Sequence, residues 1–144
     1  MATFKRTASA VWQGTGADGN GALNGPSGVL QDTPYSAKKR FQNEDGKAGT
    51  NPEELIGAAH ASCFSMKLSF VLNEMGYTAD HINTIAAVTL EEGRVSHILL
   101  STRCVVQGIS KDDFTKAAIE AKQNCPISLL FNTEIELEAE LITE

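Results

Sequence analysis

The clearest pattern of hydrophobic positions lies between residues 52 and 75, where apolar side chains recur at helical spacing around well over half of the circumference. Asn51 can cap such a helix, Pro52 suits its first position, and Glu53 and Glu54 suit the positive end of its dipole. Gly76 can end it. Because a helix that is apolar on nearly all sides is usually buried on several sides, we predict a central helix over 52–75.

Alternating hydrophobic and polar residues after this helix predict strands over 80–91 and 94–107, joined at EEG as an antiparallel pair. Alternate residues of the second strand are expected to share one face: Ile98, Leu100, Thr102, Cys104 and Val106. Ser110 is a typical cap for a helix that turns Phe114 and three alanines inward and stops before Pro126. The segment PISLLFN predicts a short further helix, and TEIELEAELIT predicts a last strand.

The N-terminal part of the chain is less regular. FKRTASAVWQG (4–14) predicts a strand, and the segment 14–28, rich in glycine and asparagine, predicts turns that can shape a hairpin. Short strands are predicted at 28–32 and 36–42. Strands and helices thus come in blocks rather than as repeated βαβ units, which favours one α+β domain over 1–144 with an antiparallel sheet.

Composition is ordinary for a soluble globular domain, with 144 residues, 42% hydrophobic and 21% charged. The net charge of −6 argues against nucleic acid as the main partner, because phosphate binding needs clustered lysine and arginine. No stretch of about 20 apolar residues is free of charge, so no membrane span is predicted. Three cysteines without a secretory signal predict a reducing, cytoplasmic environment in which free thiols are the default.

The three cysteines differ in their sequence context. Cys104 lies on the apolar face of a strand and is expected to be a small core residue. Cys125 precedes Pro126 and is therefore expected at a helix end. Cys63 lies among small residues of the central helix, where it is either core filling or a reactive thiol, and reactivity requires a nearby cation. His60, one turn before it, and Arg40 are candidates for that cation. The spacing, with no CxxC, argues against a metal site.

The motifs NPEELIGAAHASCFSMKL and AKQNCPIS, together with SGVL and PYSAKKRF upstream, closely resemble those of the OsmC/Ohr family of osmotically inducible and organic-hydroperoxide-resistance proteins. The resemblance runs through nearly the whole chain in the right order. The position of the arginine after Pro34 and Tyr35 resembles the OsmC branch.

This resemblance implies a cysteine-based peroxidase that reduces organic hydroperoxides, and also hydrogen peroxide. It implies Cys63 as the peroxidatic nucleophile, Cys125 as the resolving cysteine that forms a disulfide with it, and Arg40 and Glu53 as the pair that activates the thiolate. It also implies an intertwined homodimer with antiparallel sheet wrapped around two central helices. The implied partners are a hydroperoxide and an external thiol or dithiol reductant such as a lipoyl-bearing protein, with no metal, organic cofactor, nucleic acid or membrane.

Helix geometry limits how the implied residues meet. Ten residues separate Glu53 from Cys63, which on an unbroken helix is about 15 Å of rise and roughly 80° of rotation. Arg40 then spans a long gap, or the helix breaks near Gly57, or Arg40 and Glu53 come from the partner chain, which we favour. The rival interpretation is a non-enzymatic domain, either binding a small apolar molecule or acting as a structural dimer module, with inert cysteines.

Overall fold

The computed structural model describes residues 3–143 of the chain. The chain forms two compact units, Met1–Pro52 and Glu53–Glu144. Within residues 3–143, the first unit contains three strands and one short helix, and the second contains three helices and three strands. The architecture is therefore mixed α+β, as the sequence predicts.

The first unit contains a three-stranded antiparallel sheet in the order β1 (Ser9–Gln13), β2 (Asn20–Asn24) and β3 (Thr33–Tyr35). The glycine-rich segment 14–28 does shape a hairpin, but it also supplies β2. The strand predicted over 28–32 is wrong, because that segment has no strand.

The strand predicted over 36–42 is also wrong, since these residues form helix α1 (Ala37–Phe41). Ser36 caps this helix by accepting a hydrogen bond from the Lys39 backbone N–H at 3.1 Å. An N-cap of this kind satisfies a helical donor that an extended chain would leave to water.

The second unit begins with helix α2 (Pro52–Glu74), followed by strands β4 (Ala79–Glu91) and β5 (Arg94–Val106). The predicted central helix and antiparallel hairpin are confirmed. Glu92 and Gly93 both have positive φ angles, of 49° and 77°. This is the two-residue turn whose twist matches that of the flanking strands.

Helices α3 (Lys111–Asn124) and α4 (Pro126–Leu130) lead to the last strand, β6 (Glu134–Leu141). Strand β6 pairs with β5 in parallel, so the expectation of an antiparallel sheet holds for β4 and β5 but is wrong for β6. The physical reason is the connection, because two helices between β5 and β6 form the crossover that parallel neighbours require.

The core of the second unit joins α2, α3 and the inner face of β5. Phe64, Leu68 and Leu72 of α2 are fully buried. By length and composition α2 also satisfies the criteria for a membrane-spanning helix, which core helices of soluble proteins meet as well. The predicted inward face of β5 is confirmed, since all of its five members are buried: Ile98, Leu100, Thr102, Cys104 and Val106.

Candidate active site

Cys63 lies in the middle of α2, half-buried beside the core. The helix around it is continuous from Pro52 to Glu74, with both glutamates in its first turn. There is thus no break near Gly57. Gly57 instead allows close packing, because a Cβ atom there would lie 3.3 Å from the carbonyl oxygen of Ala86 in β4.

Cys125 lies at the junction of two helices. It is the C-cap of α3 and the N-cap of α4, with φ −61° and ψ 123°. Its backbone N–H donates to the carbonyl of Ala121 at 2.9 Å. The extended ψ angle is what a residue before proline prefers, so Pro126 ends α3 at this position. The prediction of Cys125 at a helix end is confirmed, and its side chain is fully buried.

These two elements make the thiols of Cys63 and Cys125 neighbours, close enough for each to act on the other's electrostatics. The pKa of Cys63 is raised, first of all by burial and further by the neighbouring Cys125. The Ile127 backbone N–H and the charge of Lys67 both lower that pKa without overcoming the effect of burial.

His60 is one turn before Cys63 and is completely buried. Burial lowers the pKa of His60 below its ordinary value of 6.5. Its Nε2 atom lies 2.7 Å from the Ser128 hydroxyl, and its ring meets Phe131 edge-on at 5.5 Å. A neutral, buried imidazole supplies no positive charge, so of the two candidate cations for Cys63 this one is excluded.

Cys104 is fully buried in the core, as predicted for a small apolar residue. Burial raises the pKa of its thiol, and the hydroxyl of Thr102, 3.4 Å from its sulfur, lowers that pKa by a smaller amount. A thiol in this setting is inert at neutral pH.

Arg40 belongs to the first unit, on the last turn of α1, where its guanidinium lies 5.0 Å from the centroid of the Phe41 ring. It lines a cavity of about 210 Å³ within that unit, together with Trp12 and Tyr35, whose ring centroids are 5.4 Å apart. Glu53 is in the first turn of α2, in the second unit. The assignment of Arg40 and Glu53 to thiolate activation stays a prediction.

Three groups near Cys63 and His60 were not predicted. Lys67 follows Cys63 at the i+4 spacing that places side chains together on a helix, and this spacing was the available signal. The Ile127 backbone and the Ser128 hydroxyl approach from α4, and no periodicity in the sequence indicates that α4 packs near Cys63.

Cys63 on the central helix and Cys125 at a helix junction are thus neighbouring free thiols. Residues 44–140 match the model of the family described as OsmC-like protein. The chain is also 41% identical to Peroxiredoxin OsmC of Escherichia coli (strain K12) over 143 residues, covering 96% of this chain and 98% of that one. The protein of the same name from Shigella flexneri gives the same figures. The chain therefore belongs to the OsmC-like family.

Solved structures agree on the fold. An organic hydroperoxide resistance protein of Legionella pneumophila superposes with a TM-score of 0.68 at 18% identity, covering 99% of this chain and 100% of that one. OhrB of Bacillus subtilis, also an organic hydroperoxide resistance protein, gives a TM-score of 0.61 at 24% identity, with 94% and 98% covered.

Proposed function

We propose that this chain is a cysteine-dependent peroxidase that reduces hydroperoxides. The observation that carries the proposal is that Cys63 and Cys125 are neighbouring free thiols beside the same core. The relative with 41% identity over nearly the full length is a peroxiredoxin, which supports the same activity here.

Cys63 is the nucleophile in this proposal. Its thiolate attacks the terminal oxygen of the hydroperoxide, the O–O bond breaks, and the leaving alkoxide takes a proton to become an alcohol. Cys125 then attacks the sulfur of the resulting sulfenic acid. The S–O bond breaks as the S–S bond forms, and the departing hydroxide and the Cys125 proton leave as water. An external dithiol returns the disulfide to two thiols and is itself oxidised.

Arg40 supplies the positive charge that Cys63 still requires. Burial raises the pKa of Cys63 despite the nearby Lys67, so a further cation is needed to hold the thiolate at neutral pH. A guanidinium stays charged and can stabilise both the thiolate and the developing oxyanion. Glu53 orients Arg40 through a bidentate carboxylate–guanidinium pair.

Glu53 acts on the Cys63 of the other subunit. Because α2 is continuous, Glu53 and Cys63 of one chain are about 15 Å apart along the helix axis and cannot join in one contact. A homodimer removes the difficulty if the partner's Arg40 and Glu53 complete each site.

The open face of α2, formed by Ala59, Ser62, Met66 and Phe70, supports a homodimer. These residues follow one another at spacings of three and four and are all exposed. Met66 is 63% exposed and Phe70 61%. Large apolar side chains beside small residues suit close packing against a second copy of the same helix, as in an intertwined dimer.

The substrates of the proposed enzyme are organic hydroperoxides and, as a second class, hydrogen peroxide. The reductant is an external thiol or dithiol, such as a lipoyl-bearing protein, and the compartment is the cytoplasm. The raised pKa of Cys63 favours one alternative, a non-enzymatic domain that binds a small apolar molecule or dimerises, with inert thiols.

Thiol counting with cumene hydroperoxide separates these functions. In the peroxidase, one equivalent of peroxide removes two thiols together as a Cys63–Cys125 disulfide, and dithiothreitol restores them. The Cys63→Ser variant consumes no peroxide, whereas Cys104→Ala consumes it like the wild type. An unchanged thiol count in the wild type, or loss of turnover in Cys104→Ala with its fold intact, contradicts the assignment.

A further inference from the structure

His60 is unusual among the polar residues of the core. It is completely buried, and its Nδ1 is a buried side-chain atom without a hydrogen-bond partner among residues 3–143. Its other ring nitrogen, Nε2, is 2.7 Å from the Ser128 hydroxyl. Burying an imidazole with one unpartnered nitrogen costs free energy. The role of the one hydrogen bond that His60 does make, to Ser128, therefore needs an explanation.

The unpartnered nitrogen fixes the direction of the hydrogen bond. A buried N–H without an acceptor is more costly than a bare lone pair, so the proton of the neutral ring resides on Nε2. His60 therefore donates to the Ser128 oxygen.

The His60–Ser128 hydrogen bond joins the two segments that carry the neighbouring thiols, α2 with Cys63 and α4 with Cys125 at its N-terminus. His60 precedes Cys63 by three residues on α2, and Ser128 follows Cys125 by three residues into α4. The Ile127 backbone N–H, next to Ser128, lowers the pKa of Cys63 and so acts on the same sulfur. Phe131, just after α4, packs edge-on against the His60 ring. Leu129 and Leu130 are about 70% exposed, so Ile127 is the leucine or isoleucine of α4 that packs against the hydrophobic core.

We propose that His60 is a positioning residue for the resolving step: its hydrogen bond to Ser128 fastens α4 to α2 and so keeps Cys125 and the Ile127 N–H against the Cys63 sulfur. The proposal rests on the proposed function, which makes Cys125 the resolving thiol. It assigns His60 no proton transfer and no contact with peroxide.

Positioning has a chemical consequence at the sulfenic acid of Cys63. This sulfur has two fates: Cys125 displaces water from it to form the disulfide, or a second hydroperoxide transfers an oxygen to it, giving a sulfinic acid and a second alcohol. The first is intramolecular and depends on how closely Cys125 is held, whereas the second depends on peroxide concentration. Loss of the His60–Ser128 bond therefore shifts the outcome towards the sulfinic acid.

The test is an equilibrium of the purified, reduced protein with glutathione and glutathione disulfide, with the Cys63–Cys125 disulfide quantified by mass spectrometry after alkylation. The effective concentration of the two thiols is expected to fall about three- to tenfold in Ser128→Ala and in His60→Leu, the range that one lost hydrogen bond gives. His60→Gln and Ser128→Thr, which keep a donor and a hydroxyl, are expected within about twofold of the wild type.

Ser65→Ala is the matched control, because it removes another α2 side-chain hydrogen bond, the 2.8 Å bond from Ser65 to Thr84 in β4. It is expected to leave the effective concentration unchanged. An unchanged value in Ser128→Ala, or an equal fall in Ser65→Ala, overturns the proposal. Ser128→Ala decides the matter if His60→Leu does not fold.

A peroxide experiment separates this proposal from the proposed function. After pulses of cumene hydroperoxide, Ser128→Ala is expected to accumulate several times more sulfinic acid at Cys63 than the wild type. If the wild type forms neither sulfenic acid nor disulfide with peroxide, the peroxidase proposal fails, while the glutathione equilibrium still decides the role of His60.

Discussion

At the scale of single residues, Cys63 and Cys104 differ in the groups that surround their thiols. Burial raises the pKa of both Cys63 and Cys104. Cys63 also has a backbone N–H and the charge of Lys67 acting in the opposite direction, whereas Cys104 has the Thr102 hydroxyl. Two groups that favour a thiolate thus act on Cys63 and one acts on Cys104, although burial outweighs them at both sulfurs.

Removing the Lys67 charge is expected to make Cys63 less reactive. In Lys67→Gln the pKa of Cys63 rises further, and the thiolate fraction at neutral pH falls about twofold, the size of an i, i+4 charge interaction on a helix. The rate of Cys63 alkylation by iodoacetamide as a function of pH measures this. Lys111→Gln, at the start of α3, is the control and is expected to react like the wild type; an alkylation profile identical in both variants contradicts the role of Lys67.

The buried His60 is expected to make the protein sensitive to acid. Its pKa is lowered in the folded state, so the unfolded chain binds a proton that the folded chain does not. This contribution to stability is complete above the ordinary pKa of 6.5 and is lost as the pH falls through the lower folded-state value. The free energy of unfolding in urea, compared between pH 7.5 and 5.5 at one protein concentration, should therefore fall less in His60→Gln than in the wild type. Equal losses in the two proteins argue against a neutral buried imidazole.

At the scale of elements, local signals predicted most of the second unit. The glutamates at the start of α2, the alternation in β4 and β5, and the Ser110 cap of α3 all act within a few residues, and the structure agrees with each. The pairing of β6 is different, because a strand carries the same alternation whether its neighbour is parallel or antiparallel. Only the α3–α4 crossover decides the direction.

Local sequence signals predict only part of the candidate site. Helical periodicity places Cys63 on α2, and Pro126 places Cys125 at a helix end, but neither pattern predicts that the two thiols are neighbours. The resemblance to a family supplied that pairing. The His60–Ser128 contact joins residues 68 positions apart and leaves no signal in the hydrophobic pattern. In the first unit, α1 was predicted as a strand because five residues are too few for helical periodicity to emerge.

Gly57 offers a test of how α2 packs on β4. Gly57→Val is expected to destabilise the protein by about 1–3 kcal/mol, since the added side chain must displace the Ala86 backbone or Val88. Gly57→Ala is expected to change the free energy of unfolding by less than about 1 kcal/mol, because the gain in helix propensity offsets one tight contact. Urea unfolding measures both values, and a larger loss in the alanine variant than in the valine variant contradicts this packing.

At the scale of the whole molecule, the exposed apolar residues of α2 and the continuity of that helix both bear on whether the active site requires a dimer. The open face of α2 leaves Met66 and Phe70 in water in a single chain. The same helix separates Glu53 from Cys63 by about 15 Å. A dimer formed through this face would bury Met66 and Phe70, and it would bring the partner's Arg40 and the partner's Glu53 to Cys63. Assembly and catalysis should therefore be lost together.

A monomeric variant is therefore expected to be nearly inactive. Met66→Lys combined with Phe70→Glu places charges on the open face of α2 and should make the proposed dimer dissociate, which sedimentation velocity measures. Peroxide turnover should fall at least about tenfold, because a thiolate without its cation is protonated at neutral pH. Val29→Lys, at an 86% exposed position of the first unit, is the control for an added charge and should remain dimeric and active. A monomer that is still active at high dilution would mean that Arg40 and Glu53 are not required from the partner, and the two-chain site would have to be abandoned.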